Sequence, residues 1–145
     1  NKVSSREVLH ITHSSQSSCI ACHQKIDPAG YGFEHFDTLG KFRMFEKGTV
    51  AINAAGSLTT HKGETLKFNN SVDFVKELVE SKTFQDCMEK KLFKYVTGQS
   101  FEEGAGVCES ANLQKAMATK GKTVESLFDS LVELKSFRTR KPASK

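Results

Sequence analysis

The feature that most constrains this chain is five residues long: Cys19-Ile20-Ala21-Cys22-His23, a C-x-x-C-H sequence. Its spacing has a chemical reason. Two thiols one helical turn apart can add to the two vinyl groups along one haem edge, and the His that follows is carried beneath the ring to bind the iron. Three other readings compete. A thioredoxin-like C-x-x-C needs a βαβ context that this stretch lacks. A zinc site needs a second ligand pair at suitable spacing, and Cys87 and Cys108 lie far apart. Chance occurrence is a weak explanation in a chain with only 4 Cys. One covalently attached haem c, with its iron, is the expected cofactor. Cys19, Cys22 and His23 would hold it, His23 as the proximal axial ligand.

An axial His normally gives its second ring N–H to a carbonyl or carboxylate, which fixes the ring. The chain must turn near Asp27-Pro28, so a backbone carbonyl there is the expected acceptor. An electron-transfer haem usually takes a sixth ligand from His or Met. The candidates are His10, His13, His35, His61, Met44, Met88 and Met117. The segment between His13 and Cys19 reaches roughly 20 Å when extended, enough to pass round the ring edge. A hydrogen-bonded surface His is the alternative there. Met44 could swing over the ring from a hairpin, or simply pack within it. Met88 and Met117 lie on helical stripes and read as core. Arg43 suits bidentate pairing with a haem propionate, or an ion pair with Asp37 or Glu34.

Cys87 and Cys108 fit a disulfide, since haem is attached on the oxidising side of a membrane. Closing that loop would stabilise the chain by about 3 kcal/mol on chain-entropy grounds. Two buried free thiols are the alternative.

Along the chain, residues 3–13 read as a weakly amphipathic helix carrying Val3, Leu9 and Ile11. Ser17 or Ser18 could cap a short helix bearing the cysteine motif, which Asp27-Pro28 should close, because the residue before Pro avoids helical angles. Phe42, Met44, Val50 and Ile52 alternate with polar residues around Gly48, predicting a hairpin. Thr59 to Asn70 is polar and reads as loop. Four further helices follow: from Ser71 with Val72, Val75, Leu78 and Val79 on one face; from Thr83 to Thr97 with Phe84, Met88, Leu92 and Tyr95; from Val107 to Lys120; and from a Thr123 cap, with Val124, Leu127, Phe128, Leu131 and Val132. Gly98 and Gly121 serve as stops.

At 145 residues the chain suits one compact domain or two small modules. No apolar run approaches the ~20 residues needed to span a bilayer. The chain starts at Asn1 without a leader, and reads as a processed protein or a module of a larger one. A net charge of +4, partly offset by haem propionates, gives little support for nucleic-acid binding. Eleven Phe and no Trp suit a small protein wrapping a flat apolar ring, although Phe also fills ordinary cores. Arg138 to Lys145 reads as a frayed basic tail.

Further residues carry a family resemblance: Arg6-Glu7-Val8-Leu9, His13, the Cys19–His23 motif, Asp27-Pro28-Ala29-Gly30, Glu34-His35-Phe36-Asp37 and Gly40-Lys41-Phe42-Arg43. With these the chain resembles the C-terminal, cysteine-haem part of the large secreted planctomycete-type cytochrome proteins. Phe84 to Cys87, Lys91 to Gly98 and Ser136 to Arg138 resemble the helical domain that follows in that family. Phe42 departs from its usual Trp, and Thr59 to Asn70 does not align with the family's motifs. The resemblance implies a periplasmic or secreted setting and favours His13 as the distal ligand, ahead of Met44.

The expected fold is mostly α, with a short β-hairpin and the haem between the N-terminal segment and the later helices. Residues 1–60 would form the haem-attachment segment and 61–145 the helical part, as one continuous domain. One-electron transfer is the expected role rather than catalysis, with Lys90, Lys91 and Lys94 docking a redox partner protein. The chain would be a monomer or part of a larger protein. The rival is a haem with an open sixth position, acting on or sensing peroxide or a small gas. A third option is a haem that mainly holds the fold together.

Overall fold

A computed structural model describes residues 3–98, 100, 105–121 and 123–139. It is mostly helical, as expected, with two small antiparallel strand pairs where one was expected. The chain divides into two compact units, Asn1–Phe84 and Gln85–Lys145. The expected boundary near residue 60 therefore falls inside the first unit, between two paired strands. No helix among the described residues is long and apolar enough to cross a membrane.

The N-terminal unit opens with α1 (Ser5–Ser14). Ser4 and Glu7 form a capping box that satisfies otherwise orphaned N–H groups at its start. Helix α2 (Ser17–Tyr31) follows and packs against α1. Gln16, not Ser17 or Ser18, holds its N-cap position and provides no side-chain bond. Nor does Asp27-Pro28 end this helix: Pro28 lies within it, and Gly32 is the C-cap. A helical Pro forfeits one hydrogen bond and crowds the preceding turn. Tertiary contacts hold the last turn despite this. Tyr31 is buried, and the Arg6 guanidinium lies 4.1 Å over its ring. Arg6 also donates to the Asn53 carbonyl at 2.9 Å and the Ala55 carbonyl at 2.5 Å.

The expected hairpin is present as β1 (Phe45–Glu46) and β2 (Val50–Ala51), paired Glu46 to Val50. Lys47 and Gly48 turn it with positive φ angles of 48° and 80°. Buried Glu46 clamps this hairpin to α1, accepting from the Ser5 N–H at 2.7 Å and from the Ser5 hydroxyl.

A second hairpin replaces the expected loop: β3 (Gly56–Thr59) pairs with β4 (Thr65–Phe68). Leu66 and Phe68 alternate inward from β4. Phe68 meets Phe74 of α3 (Ser71–Glu80) with ring centroids 4.6 Å apart. That helix is capped by Asn70 and buries Phe74, while Val72, Val75 and Val79 of its expected inner face are exposed. Strand β3 packs on α2. The fit depends on Gly56, where a Cβ would stand 2.6 Å from the Phe68 ring and 2.9 Å from the Pro28 carbonyl oxygen.

Helix α4 (Lys82–Thr97) starts on its own cap, the Ser81 hydroxyl accepting from the Phe84 N–H at 3.3 Å, and on a second one from outside the helix. The Glu64 carboxylate, in the β3–β4 turn, accepts from the Lys82 N–H at 3.1 Å, the Thr83 N–H at 3.0 Å and the Ser81 hydroxyl at 2.8 Å, and from the Thr83 hydroxyl. Donation from the Thr83 and Ser81 hydroxyls holds its pKa down at about 2.

In the C-terminal unit, α5 (Ala105–Lys120), α6 (Val124–Glu133) and the short α7 (Lys135–Arg138) join the later part of α4. Thr123 caps α6 as expected. The core gathers Phe93, Leu113, Met117, Leu127, Leu131 and Leu134. Phe93, not Tyr95, is the inward aromatic of α4: it is 0% exposed against 87% for Tyr95. Of the expected α6 stripe, Leu127 and Leu131 are buried, and Val124, Phe128 and Val132 are exposed.

The expected Cys87–Cys108 disulfide is not formed. Both thiols are free and exposed, each in solvent on its own helix, α4 and α5. Arg140 to Lys145, within the expected basic tail, lie outside the described residues.

Candidate functional site

Helix α2 carries the whole C-x-x-C-H motif, which places Cys19 and Cys22 one turn apart with His23 directly after them. Both cysteines are free; Cys19 is half-buried and Cys22 exposed. Because α2 continues through Pro28, Asp27 sits one turn beyond His23 on the same helix. Its Oδ1 lies 2.9 Å from His23 Nδ1. The expected acceptor was a backbone carbonyl in this region; the structure supplies the Asp27 side chain instead. With Nδ1 so engaged, Nε2 is the ring atom left to meet a metal.

Asp27 has a second partner. His13, arriving from the last turn of α1, places Nδ1 2.6 Å from Asp27 Oδ2. The two imidazoles stack with centroids 3.7 Å apart at 37°. Desolvation pulls the Asp27 carboxyl upward, but hydrogen bonds from His13 and His23 outweigh it, so its pKa lies below the ordinary value. The ligand atoms of His13, His23 and Asp27 lie within 4.8 Å of one another, close enough to gather round a metal ion. As they stand, both Nδ1 atoms point at the carboxylate, a hydrogen-bond geometry.

A haem's requirements can be set against this arrangement. The donor set fits: two available thiols and an imidazole with its far nitrogen anchored, all on one helix. Beside it lies a cavity of about 210 Å³ lined by His10, His13, Ile20, His23, Pro28 and Tyr31 among others. That is below the ~300 Å³ at the small end of ligand pockets, so it is too small for a whole macrocycle. A larger open groove of about 790 Å³, lined partly by Arg6, Ile11 and Val50, shares His10 and Tyr31 with it. The His13 ring stacks on that of His23, with both rings bonded to Asp27.

The other expected site residues are spread more widely. Met44 is 56% exposed, and its carbonyl accepts from the Ile52 N–H at 3.0 Å beside the first hairpin. His35 Nδ1 is 3.0 Å from the Arg43 carbonyl and its ring stacks on Phe42. Arg43 reaches the Glu34 carbonyl at 3.5 Å. The Asp37 carboxylate accepts from the Leu39 and Lys41 N–H groups, both at 2.9 Å. Lys90, Lys91 and Lys94 are exposed on α4. Met117 is buried in the C-terminal core, as its helical position predicted. Asp27 is the site residue that sequence reasoning missed. Its signal was the four-residue spacing from His23, hidden because Pro28 reads as a helix end.

Residues 1–46 match the family described as PSCyt3, protein of unknown function (DUF1588). This agrees, for the N-terminal third of the chain, with the resemblance to cytochrome-associated proteins carried by the motifs. No match was found among curated proteins or solved structures.

Proposed function

We propose that this chain is a monohaem c-type cytochrome module that passes single electrons in the periplasm or outside the cell. The observation that carries the reading is the join of a C-x-x-C-H motif on one helix with a carboxylate fixing the following His. Thiol addition would attach the haem at Cys19 and Cys22, and His23 would bind the iron through Nε2. Exposed Ile20 and Ile26 on the same helix, with Val8 and Ile11 on α1, offer apolar surface to a flat ring. An oxidising compartment follows from the attachment chemistry and from the family resemblance. Exposed Lys90, Lys91 and Lys94 are the docking candidates for an acidic redox partner, whose reduction rate would then fall with added salt.

One observation favours a second reading, an open-site haem for peroxide or gas chemistry. His13 shares Asp27 with His23, so the first candidate for the distal ligand is engaged on the proximal side. The deciding experiment is a visible spectrum of the oxidised and dithionite-reduced holoprotein, with and without carbon monoxide. Sharp low-spin c-haem bands unmoved by carbon monoxide support electron transfer. A high-spin spectrum that shifts at once supports the open site. Absence of haem after maturation with haem-attachment machinery overturns both readings.

A further inference from the structure

We infer that Asp27 is a positioning residue that sets the reduction potential of the iron through His23, and that His13 moderates it by occupying the other oxygen of the same carboxylate. This deepens the haem reading above and rests on it. The argument starts from acceptor strength. A neutral backbone carbonyl accepts an imidazole N–H weakly, whereas a carboxylate makes a charge-assisted bond roughly twice as strong. At 2.9 Å from His23 Nδ1, Asp27 draws that proton towards itself and leaves the ring richer in electron density. A more basic axial ligand stabilises the ferric state over the ferrous one, because the ferric ion carries the greater positive charge. The bond therefore lowers the potential. The redox step itself moves one electron from a partner to the iron and breaks no bond.

His13 makes this carboxylate a shared one. Its Nδ1 sits 2.6 Å from Asp27 Oδ2, the shorter of the two contacts, while its ring rests on that of His23. Each N–H that a carboxylate accepts withdraws some charge from the oxygen facing the other donor. His13 thus competes with His23 for Asp27. The Asp27 side chain is mostly covered, at 16% exposure, so water does not readily replace either donor. The three residues come from two helices, and that makes the packing of α1 on α2 a determinant of iron chemistry.

The test uses holoprotein matured with covalent haem, titrated to its midpoint potential as wild type, Asp27→Asn, Asp27→Glu and His13→Ala. Haem content by pyridine haemochrome is measured first. Asp27→Asn is expected to move the ferric–ferrous equilibrium about tenfold towards ferrous, which is about +59 mV for one electron. Asp27→Glu, which keeps a carboxylate, should recover part of that shift. His13→Ala should move the potential the opposite way, below wild type, with the spin state unchanged. If Asp27→Asn does not fold, the His13→Ala and Asp27→Glu potentials still decide the matter. Full haem content with potentials unmoved in the variants that load overturns this inference and leaves the cytochrome reading standing. Loss of the low-spin bands in His13→Ala overturns it by making His13 a ligand. A wild type without covalent haem overturns the cytochrome reading and this inference together.

Discussion

In the C-terminal unit Phe93, Leu113 and Leu131 are wholly buried, whereas Val8, Leu9, Ile11, Ile20 and Ile26 on the two N-terminal helices all remain exposed. The first set lies in a mainly apolar core, beside which Ser126 and Ser130 are also buried. The second pair of helices is tied down by polar clamps: Arg6 over Tyr31, Glu46 on Ser5, and Asp27 between two histidines. Scattered exposed apolar residues are normal on a soluble protein. Helix α6 also leaves Val124, Phe128 and Val132 exposed, so the difference lies in how each unit is held and not in exposure alone. On the proposed reading haem would cover apolar residues of α1 and α2, and the N-terminal unit would depend on it where the C-terminal unit would not.

The strongest way to break that contrast is Cys19→Ala with Cys22→Ala. Covalent haem should be lost entirely by mass. Amide-exchange protection should collapse across α1 and α2 and persist in α5 and α6. Equal protection in both units with and without haem would sink the comparison. Next in size is Phe93→Ala, which should cost the C-terminal unit about 3–5 kcal/mol in denaturant melts. A loss under 1 kcal/mol would mean that its core is not the closed one described.

Gly56→Ala probes the other side. The added methyl meets the Phe68 ring and the Pro28 carbonyl and should cost about 1–3 kcal/mol, read as earlier urea unfolding of the N-terminal unit. The smallest expected effect is pH-dependent. Glu64 titrates at about 2 in the folded chain against an ordinary 4.5. Its stabilisation is therefore complete above about pH 4.5 and drains away as pH falls towards about 2. Glu64→Gln should flatten that part of the acid-stability profile, and an unchanged profile would refute the assignment.

These regions also differed in how legible they were. Helices with strong periodicity were found, together with the Thr123 cap and the Gly98 and Gly121 stops, because those signals are local. Inner faces were not. Val72, Val75 and Val79 are spaced like a core stripe, yet the β3–β4 hairpin packs on Phe74, and that hairpin was itself unread because Leu66 and Phe68 are diluted by polar neighbours. The cysteine motif and His23 were plain from sequence. Asp27 was not, because local rules place a helix end before Pro28, and the Arg6–Tyr31 contact and the close approach at Gly56 lie where the helix runs past it. Locally coded features were visible, and features fixed by partners distant in sequence were hidden.

The Glu64 cap has a consequence for the order of folding. Helix α4 carries a local N-cap, since the Ser81 hydroxyl accepts from the Phe84 N–H at 3.3 Å, but the Lys82 and Thr83 N–H groups take their acceptor from a residue 18 and 19 positions upstream. The outer half of this cap is complete only once the β3–β4 hairpin has closed and presented that carboxylate, so the full cap joins a local contact to a non-local one. A φ-value for Glu64→Gln near that of the hairpin, and unlike that for Ser81→Ala, is the kinetic signature of a cap assembled from two sources.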